Sequence, residues 1–209
     1  MTSYITIADT AQAEIIEKKS RFIGQCAHVE TEEEALAFLE SVRTEHRMAR
    51  HNVFAYVLRE GNRVRYSDDG EPQKTAGLPT LEVIQHKELS DIIVVVTRYF
   101  GGVLLGTGGL VRAYTQATQA ALEQAHLLTV SRCIEITIDA EYSWYDQLLH
   151  IAQEEQAQVV DTQFTDKVCL TLRMLENTEG SLLRKLQEIS HGENVYRVSE
   201  AFDAVFNAN

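Results

Sequence analysis

Three short clusters of arginines, acids and glycines lie between Ser67 and Arg112, and residues of these types could bind a ligand or take part in catalysis. The clusters are Ser67–Gly77, Thr97–Gly102 and Gly106–Arg112. Glycines let a backbone approach a ligand closely, and a helix that begins at glycines presents free N–H groups and the positive end of its dipole. With Arg98 and Arg112 as forked donors, this pattern predicts a site for a phosphate or carboxylate.

The acids of the first cluster leave a second interpretation open. Arg98 could instead pair with Asp68, Asp69 or Glu71, and the glycines would then shape turns and let a helix pack tightly on a sheet. The same acids could hold a hard cation, but adjacent acids in a turn are more often solvated surface. We therefore predict neither a metal ion nor a cofactor.

The glycine spacing does not match the common nucleotide loops. Gly101-x4-Gly106-Thr107 lacks the lysine of a P-loop, and Gly106-x-Gly108-x-x-Val111 lacks the last glycine of a dinucleotide fingerprint. His51 could act as a general base, but no serine or cysteine nucleophile motif accompanies it. The sequence therefore favours a binding surface over an enzyme.

Charge excludes a further class of function. The net charge is −12, with 13 basic and 17 acidic groups in residues 1–129 and 6 and 14 in residues 130–209. A broad DNA-binding surface needs a basic field, so any RNA contact must come from a local patch in the first part.

The longest aliphatic run, Ile92–Val96, is too short to span a membrane, and the start of the chain lacks a secretory pattern. We expect a cytoplasmic protein without a membrane partner.

The elements that must position these clusters belong to an α+β fold of two domains, residues 1–129 and 130–209. In the first, Thr31 and Glu34 have capping-box spacing before a helical apolar stripe. Glu60-Gly61-Asn62 is flanked by strand-like residues and predicts a hairpin turn. The continuous apolar run Ile92–Phe100 predicts a central strand that is covered on both faces.

In the second domain, segments with the two-residue period of a strand alternate with two segments that have the period of a helix. Its pattern predicts β-α-β-β-α-β, the ferredoxin-like or split βαβ arrangement, and Val195–Phe206 would form the last strand.

Several short motifs resemble the IMPACT/YigZ family over essentially the full chain, most specifically from Arg98 to Gly106. The matching motifs are Lys19-Ser20-Arg21-Phe22-Ile23, His51-Asn52, Asp68-Asp69-Gly70-Glu71-Pro72 with Thr75-Ala76-Gly77-Leu78-Pro79, and Val96-Thr97-Arg98-Tyr99-Phe100-Gly101-Gly102 with Leu105-Gly106.

The resemblance implies an N-terminal βαβ domain like that of a small-subunit ribosomal protein and of domain four of elongation factor G. It also implies a C-terminal domain similar to another domain of that factor. Eukaryotic relatives regulate translation by binding a partner of an eIF2α kinase, so the theme that carries over is translation.

Our leading hypothesis is a non-enzymatic, translation-associated or regulatory binding protein that contacts RNA, the ribosome or a protein partner through its N-terminal domain. The alternative is a hydrolase-like enzyme that acts on a small phosphorylated or peptide-like substrate at the glycine-rich loop. The candidate ligand- or partner-binding residues are Arg21, His51, Asp68, Asp69, Glu71, Lys74, Thr75, Arg98, Tyr99, Gly101, Gly102, Gly106, Gly108, Gly109 and Arg112.

Overall fold

The structure is a computed structural model that describes residues 3–206. It divides into two compact units, of which the first spans residues 4–128 and the second begins at residue 129. Both units combine helices with antiparallel sheets, as the predicted α+β class requires. Between residues 3 and 206, no helix is both long and apolar enough to cross a membrane.

The first unit alternates strands and helices along the chain. Its elements are β1 (Tyr4–Ile7), β2 (Ala11–Glu17), β3 (Ser20–His28), α1 (Glu32–Glu45), β4 (His51–Leu58), β5 (Arg63–Ser67), α2 (Gly77–His86), β6 (Ile92–Tyr99) and α3 (Thr107–Glu123).

A five-stranded antiparallel sheet in the order β2-β3-β6-β4-β5 forms the centre of this unit. Helix α1 packs on one face with Ile93 and Val95, and α2 and α3 pack on the other with Val94 and Val96. The prediction that β6 is central and covered on both faces is confirmed. Strands β3 and β4 flank β6 and are joined through α1, so they form a split βαβ unit.

Local sequence accounts for two of the predicted boundaries. Thr31 Oγ1 accepts a hydrogen bond from the Glu34 N–H at 3.2 Å and the Glu34 carboxylate accepts from the Thr31 N–H, so the capping box that starts α1 is confirmed. The turn between β4 and β5 is also confirmed, because Gly61 and Asn62 both take positive φ there.

The second unit contains β7 (Leu127–Ala140), α4 (Tyr145–Glu154), β8 (Gln158–Phe164), β9 (Val168–Leu175), α5 (Gly180–Ile189), β10 (Tyr196–Val198) and β11 (Phe202–Val205). Strand β9 lies between β7 and β8, and α4 and α5 contribute to the core beneath these strands through Leu148, Ile151, Leu182 and Leu186.

The expected last strand, Val195–Phe206, is divided in two, because β10 and β11 pair with different parts of β7. Between them lies Ser199, whose N–H donates to the Glu135 carbonyl at 2.8 Å. The Ser199 hydroxyl accepts a hydrogen bond from the Glu135 N–H at 2.9 Å. A side chain thus replaces one backbone partner and interrupts the ladder.

Candidate functional site

The acidic turn between β5 and α2 is organised by Asp68. Its carboxylate accepts hydrogen bonds from the backbone N–H groups of Lys74, Ala76 and Gly77, at 2.8, 3.1 and 2.8 Å. Ala76 is the N-cap residue of α2 and has no side chain that could cap it. Asp68 therefore caps the helix from eight residues upstream and places a negative charge at the positive end of its dipole.

We expect Asp68→Ala to lower the free energy of unfolding by about 1–2 kcal/mol, the upper part of the range for removal of a side-chain N-cap, because three N–H groups lose their acceptor. Chemical denaturation of the wild type and the variant measures this difference. Glu82→Ala, an exposed change within the same helix, is the matched control and should stay within about 0.5 kcal/mol of the wild type. Equal stability of the two variants would contradict a capping role for Asp68.

Asp69 ties the same turn to the start of β4. Its carboxylate accepts from the Asn52 N–H at 2.6 Å and lies 3.5 Å from the Arg43 guanidinium, while its carbonyl is bonded to His51 Nδ1 at 2.8 Å. Asp69 and Lys74 both have positive φ. The conformation of this turn is therefore fixed by polar contacts at several points along its length.

Arg98 and Glu71 form a buried ion pair beneath the turn. Arg98 Nη1 donates to Glu71 Oε1 at 2.6 Å, and the two side chains are only 7% and 4% exposed. Tyr114 of α3 donates its hydroxyl to the same oxygen at 2.8 Å, and burial together with the Glu71 carboxylate raises the pKa of Tyr114. Of the two interpretations that the sequence left open for Arg98, the structure shows pairing with Glu71.

The glycines after β6 have two different roles. A Cβ on Gly101 would collide with the backbone carbonyl of Lys19, and the Gly101 N–H donates to Ser20 Oγ at 3.1 Å. Gly102 and Gly106 instead have φ of 83° and 72° and open space where a Cβ would be. Gly101 thus allows close packing, whereas Gly102 and Gly106 allow the turns at either side of a loop.

The hairpin turn against which Gly101 packs consists of two lysines. Glu17 pairs with Ser20, which leaves Lys18 and Lys19 as a two-residue loop with φ of 45° and 68°. Two-residue hairpin loops with both φ positive normally contain Asn-Gly or a similar pair, because a left-handed conformation is costly for residues with a Cβ. Both lysines are exposed and no carboxylate contacts them within the described residues.

The loop from residue 100 to residue 106 exposes apolar side chains next to this turn. Phe100 is 54% and Leu104 is 84% exposed, and Val103 is also exposed. Leu105 is buried, so it anchors the loop while its neighbours face solvent. We call Lys18, Lys19 and residues 100–106 together the tip–loop surface. Because several exposed apolar side chains come from one loop, this surface is a candidate interaction site.

The other sequence-predicted residues do not come together at one site. Thr75 is buried and bonds the Pro72 carbonyl, whereas Lys74 is exposed. Tyr99 faces α1, where its hydroxyl is bonded to His46 Nδ1 at 3.1 Å. The Arg21 guanidinium lies 5.5 Å from the centre of the Tyr99 ring and pairs with Glu14. Tyr99 and Arg21 thus lie on the opposite face from Arg98.

The predicted anion site at the start of α3 is only partly assembled. Gly106 is the N-cap and Gly108 and Gly109 lie in the first turn of the helix, where Arg112 Nη1 is near Gly108. Arg112 is exposed, whereas the Arg98 Nη1 group is engaged by Glu71. The two arginines therefore do not present equivalent free donors.

The sequence interpretation named Gly101, Gly102 and Gly106 as candidates and included Lys19 and Phe100 in its motifs, but it missed Lys18 and Leu104 and did not join the lysine turn to the loop. A signal for the turn was nevertheless present. Two alternating strand segments are separated by only two residues, which indicates a tight hairpin with both φ positive. Lysines at such positions are unusual enough to suggest function.

Comparison with known proteins agrees with the motif-based resemblance. Residues 18–122 match the model of the Impact N-terminal domain, and residues 138–193 match a domain of unknown function named DUF1949. The chain is 34% identical to IMPACT family member YvyE of Bacillus subtilis over 201 residues, which covers 95% of this chain and 92% of that protein.

Two further similarities extend over most of the chain. It is 36% identical to IMPACT family member YigZ of Escherichia coli over 178 residues, covering 84% of this chain and 87% of that protein. A crystal structure described only as a hypothetical protein is 32% identical, covers both chains completely and superposes with a TM-score of 0.61.

Proposed function

The chain belongs to the IMPACT family, and from that premise we propose that it is a non-enzymatic, translation-associated regulatory protein of the cytoplasm. It acts by binding, and its contact region is the tip–loop surface of the first unit. The partner is RNA or a ribosomal component. The observation that carries this proposal is the lysine pair held in a strained turn beside exposed Phe100 and Leu104.

The strain of the turn supports a role in binding. A Gly at position 19 would relieve the left-handed conformation, so stability alone does not explain a lysine there. Backbone strain that is retained at an exposed charged position is characteristic of functional sites. Because each lysine can neutralise a phosphate and Phe100 can stack on a base, the surface fits a single-stranded or looped RNA segment.

The local nature of the patch is consistent with the acidic character of the chain. Residues 1–129 carry four more acidic than basic groups, so non-specific attraction to nucleic acid is weak and binding has to occur at this surface. The proposal therefore predicts modest affinity that decreases with salt, rather than tight and general RNA binding.

The hydrolase alternative needs side chains that are free to reach a substrate. Asp68 accepts hydrogen bonds from three backbone N–H groups, and Glu71 and Arg98 bond each other. Each of these groups stabilises the acidic turn. These contacts favour the binding role.

We also propose the finer fold assignments as working hypotheses. The split βαβ of the first unit supports a likeness to a small-subunit ribosomal protein and to domain four of elongation factor G. In the second unit, the order β8-β9-β7-β10 with two helices supports a ferredoxin-like domain. Structural superposition on those domains tests both assignments.

One double substitution tests the role of the turn. Lys18→Asn with Lys19→Gly should raise the free energy of unfolding by about 1 kcal/mol, because the new residues suit a turn with positive φ. The same variant should lose most binding to ribosomes or RNA, because both charges are removed. Denaturation and low-salt cosedimentation with ribosomes measure the two effects.

Two controls and a second test make this result specific. Lys18→Arg with Lys19→Arg keeps both charges and should retain binding, and Lys87→Asn removes a lysine at a different exposed position and should have no effect. Leu104→Ser should weaken binding without a change in stability, because this side chain is exposed. The proposal fails if the stabilised Asn-Gly variant cosediments as well as the wild type.

A further inference from the structure

Four connections of the first unit meet at one end of its sheet. Tyr99, the last residue of β6, pairs with Arg21 near the start of β3. His51, the first residue of β4, pairs one position earlier in β6, and β5 ends beside β4 at Ser67. The β2–β3 turn, the α1–β4 connection, the acidic turn and the loop of residues 100–106 therefore all lie at this end.

The unpaired cations of the first unit are concentrated at the same end. Arg21, Arg43 and Arg98, which also lie there, each pair with a carboxylate. The exposed cations at this end and early in α3 that have no carboxylate partner among the described residues are Lys18, Lys19, Arg47, Arg50, Lys74 and Arg112. We call these six residues the cationic end. Lys87, which follows α2 at the opposite end of the sheet, is also exposed and has no carboxylate partner in the described part of the chain.

The acids of the unit are distributed in the opposite way. Glu30, Glu60 and Glu88 are exposed in the connections at the far end of the sheet. At the cationic end, the carboxylates of the acidic turn are held by backbone N–H groups and by arginines, and Glu17 and Glu45 are the acids that lack such partners in the described residues. The unit is therefore polarised, and a polyanion that approaches this end meets a local positive field despite the negative net charge.

The cationic end has the extent and the aromatic group that a nucleic acid strand requires. Three strand spacings separate β3 from β5, so the connections cross about 14 Å of the sheet end. Phe100 lies on this path, is 54% exposed, and has the Arg98 guanidinium 5.5 Å from the centre of its ring. Cations that follow a backbone, together with an aromatic ring on which a base stacks, are the usual features of a single-strand binding surface.

We propose that the cationic end binds a single-stranded nucleic acid, which under the proposed function is RNA, with its six cations on phosphates and Phe100 stacked on a base. The inference rests on the proposed function and extends its contact region from the tip–loop surface to Arg47, Arg50, Lys74 and Arg112. Because the contacts are to phosphates and to the face of a base, binding does not depend on base identity.

The dependence of binding on salt tests the phosphate contacts. Fluorescence anisotropy of the full chain with a labelled uridine octamer should show saturable binding at low salt. If all six cations contact phosphates, the slope of log K against log salt concentration should be about −4, because each contact to a single strand contributes about −0.7. The double variant Arg47→Gln with Arg50→Gln should bind at least tenfold more weakly at low salt, and its slope should be shallower by about 1.4.

Two single variants provide matched comparisons. Lys74→Gln and Lys87→Gln each remove one exposed, unpaired lysine and change the net charge equally, but only Lys74→Gln should weaken binding and reduce the slope. Phe100→Leu should weaken binding without changing the slope, because it removes a stacking surface and no charge. Thermal melts show that each variant is folded.

Three results would overturn this inference. They are no saturable binding of the octamer by the wild type, equal losses in Lys74→Gln and Lys87→Gln, and a peptide of eight glutamates that binds as tightly as the octamer, which would assign the surface to an acidic protein. The proposed function is tested separately by Lys18→Asn with Lys19→Gly. If that variant loses cosedimentation with ribosomes while Arg47→Gln with Arg50→Gln binds the octamer like the wild type, the contact region is confined to the tip–loop surface and only its extension fails.

Discussion

Replacing Arg98 with alanine should lower the free energy of unfolding by about 3–5 kcal/mol, the range for removal of one partner of a buried ion pair. The Glu71 carboxylate would remain with only 4% of its side chain exposed and would retain the Tyr114 hydroxyl as its donor. Most of the expected loss is thus the cost of an uncompensated charge. Urea or guanidinium denaturation measures it.

Two comparisons separate this explanation from a general loss of packing. Arg112→Ala removes an exposed arginine and should change stability by no more than about 0.5 kcal/mol. Arg98→Met combined with Glu71→Leu removes both charges and should cost less than Arg98→Ala alone. If the double variant is the less stable one, the ion pair is not the source of the effect. Binding experiments with Arg98 variants must therefore be accompanied by a stability measurement.

Replacing Gly101 with alanine should cost about 3 kcal/mol, at the upper end of the range for overpacking. The new methyl group would collide with the main chain of Lys19 and Ser20, and backbone atoms cannot move aside as a flexible side chain can. The hairpin and the loop after β6 would have to separate. Thermal or chemical unfolding reports the loss of stability, and the tip–loop surface should be perturbed as well.

Gly102→Ala is the matched control because it lies one residue further along. Its Cβ would meet no atom, and its φ of 83° leaves only a conformational cost of about 1–2 kcal/mol. The Gly101 variant should therefore be clearly the less stable of the two. The opposite order would show that backbone conformation, and not the close approach to Lys19, explains the requirement for glycine at position 101.

The elements that were predicted correctly are determined by residues that lie close together in the sequence. The Thr31 capping box, the turn at Gly61 and the apolar run of β6 each depend on neighbours in the chain, and each is confirmed. The division of the last strand at Ser199 depends instead on a contact with Glu135. No pattern within the strand itself carries that information, so it could not be predicted locally.

The same distinction applies to the candidate site. The sequence indicated that Arg98 and the glycines matter, but burial decided that Arg98 pairs with Glu71. Likewise, close packing of a helix on the sheet was expected at the clustered glycines. Among the glycines, it is Gly24 of β3 that allows α3 to pack closely, since a Cβ there would lie 2.5 Å from the Ala117 carbonyl oxygen. A single glycine in a strand gives little warning of such a contact.

The late position of β6 in the chain has a consequence for synthesis of this protein. Residues 21–28 of β3 and residues 51–57 of β4 each pair with β6, which spans residues 92–99. Each earlier strand can form a hairpin with its other neighbour, β2 or β5, but neither can pair with β6 until β6 has left the ribosome. Such non-local pairing slows folding and leaves strand edges open while the nascent chain grows. We therefore expect nascent chains that end before residue 92 to be readily degraded by proteases, and chains that extend beyond α3 to become resistant.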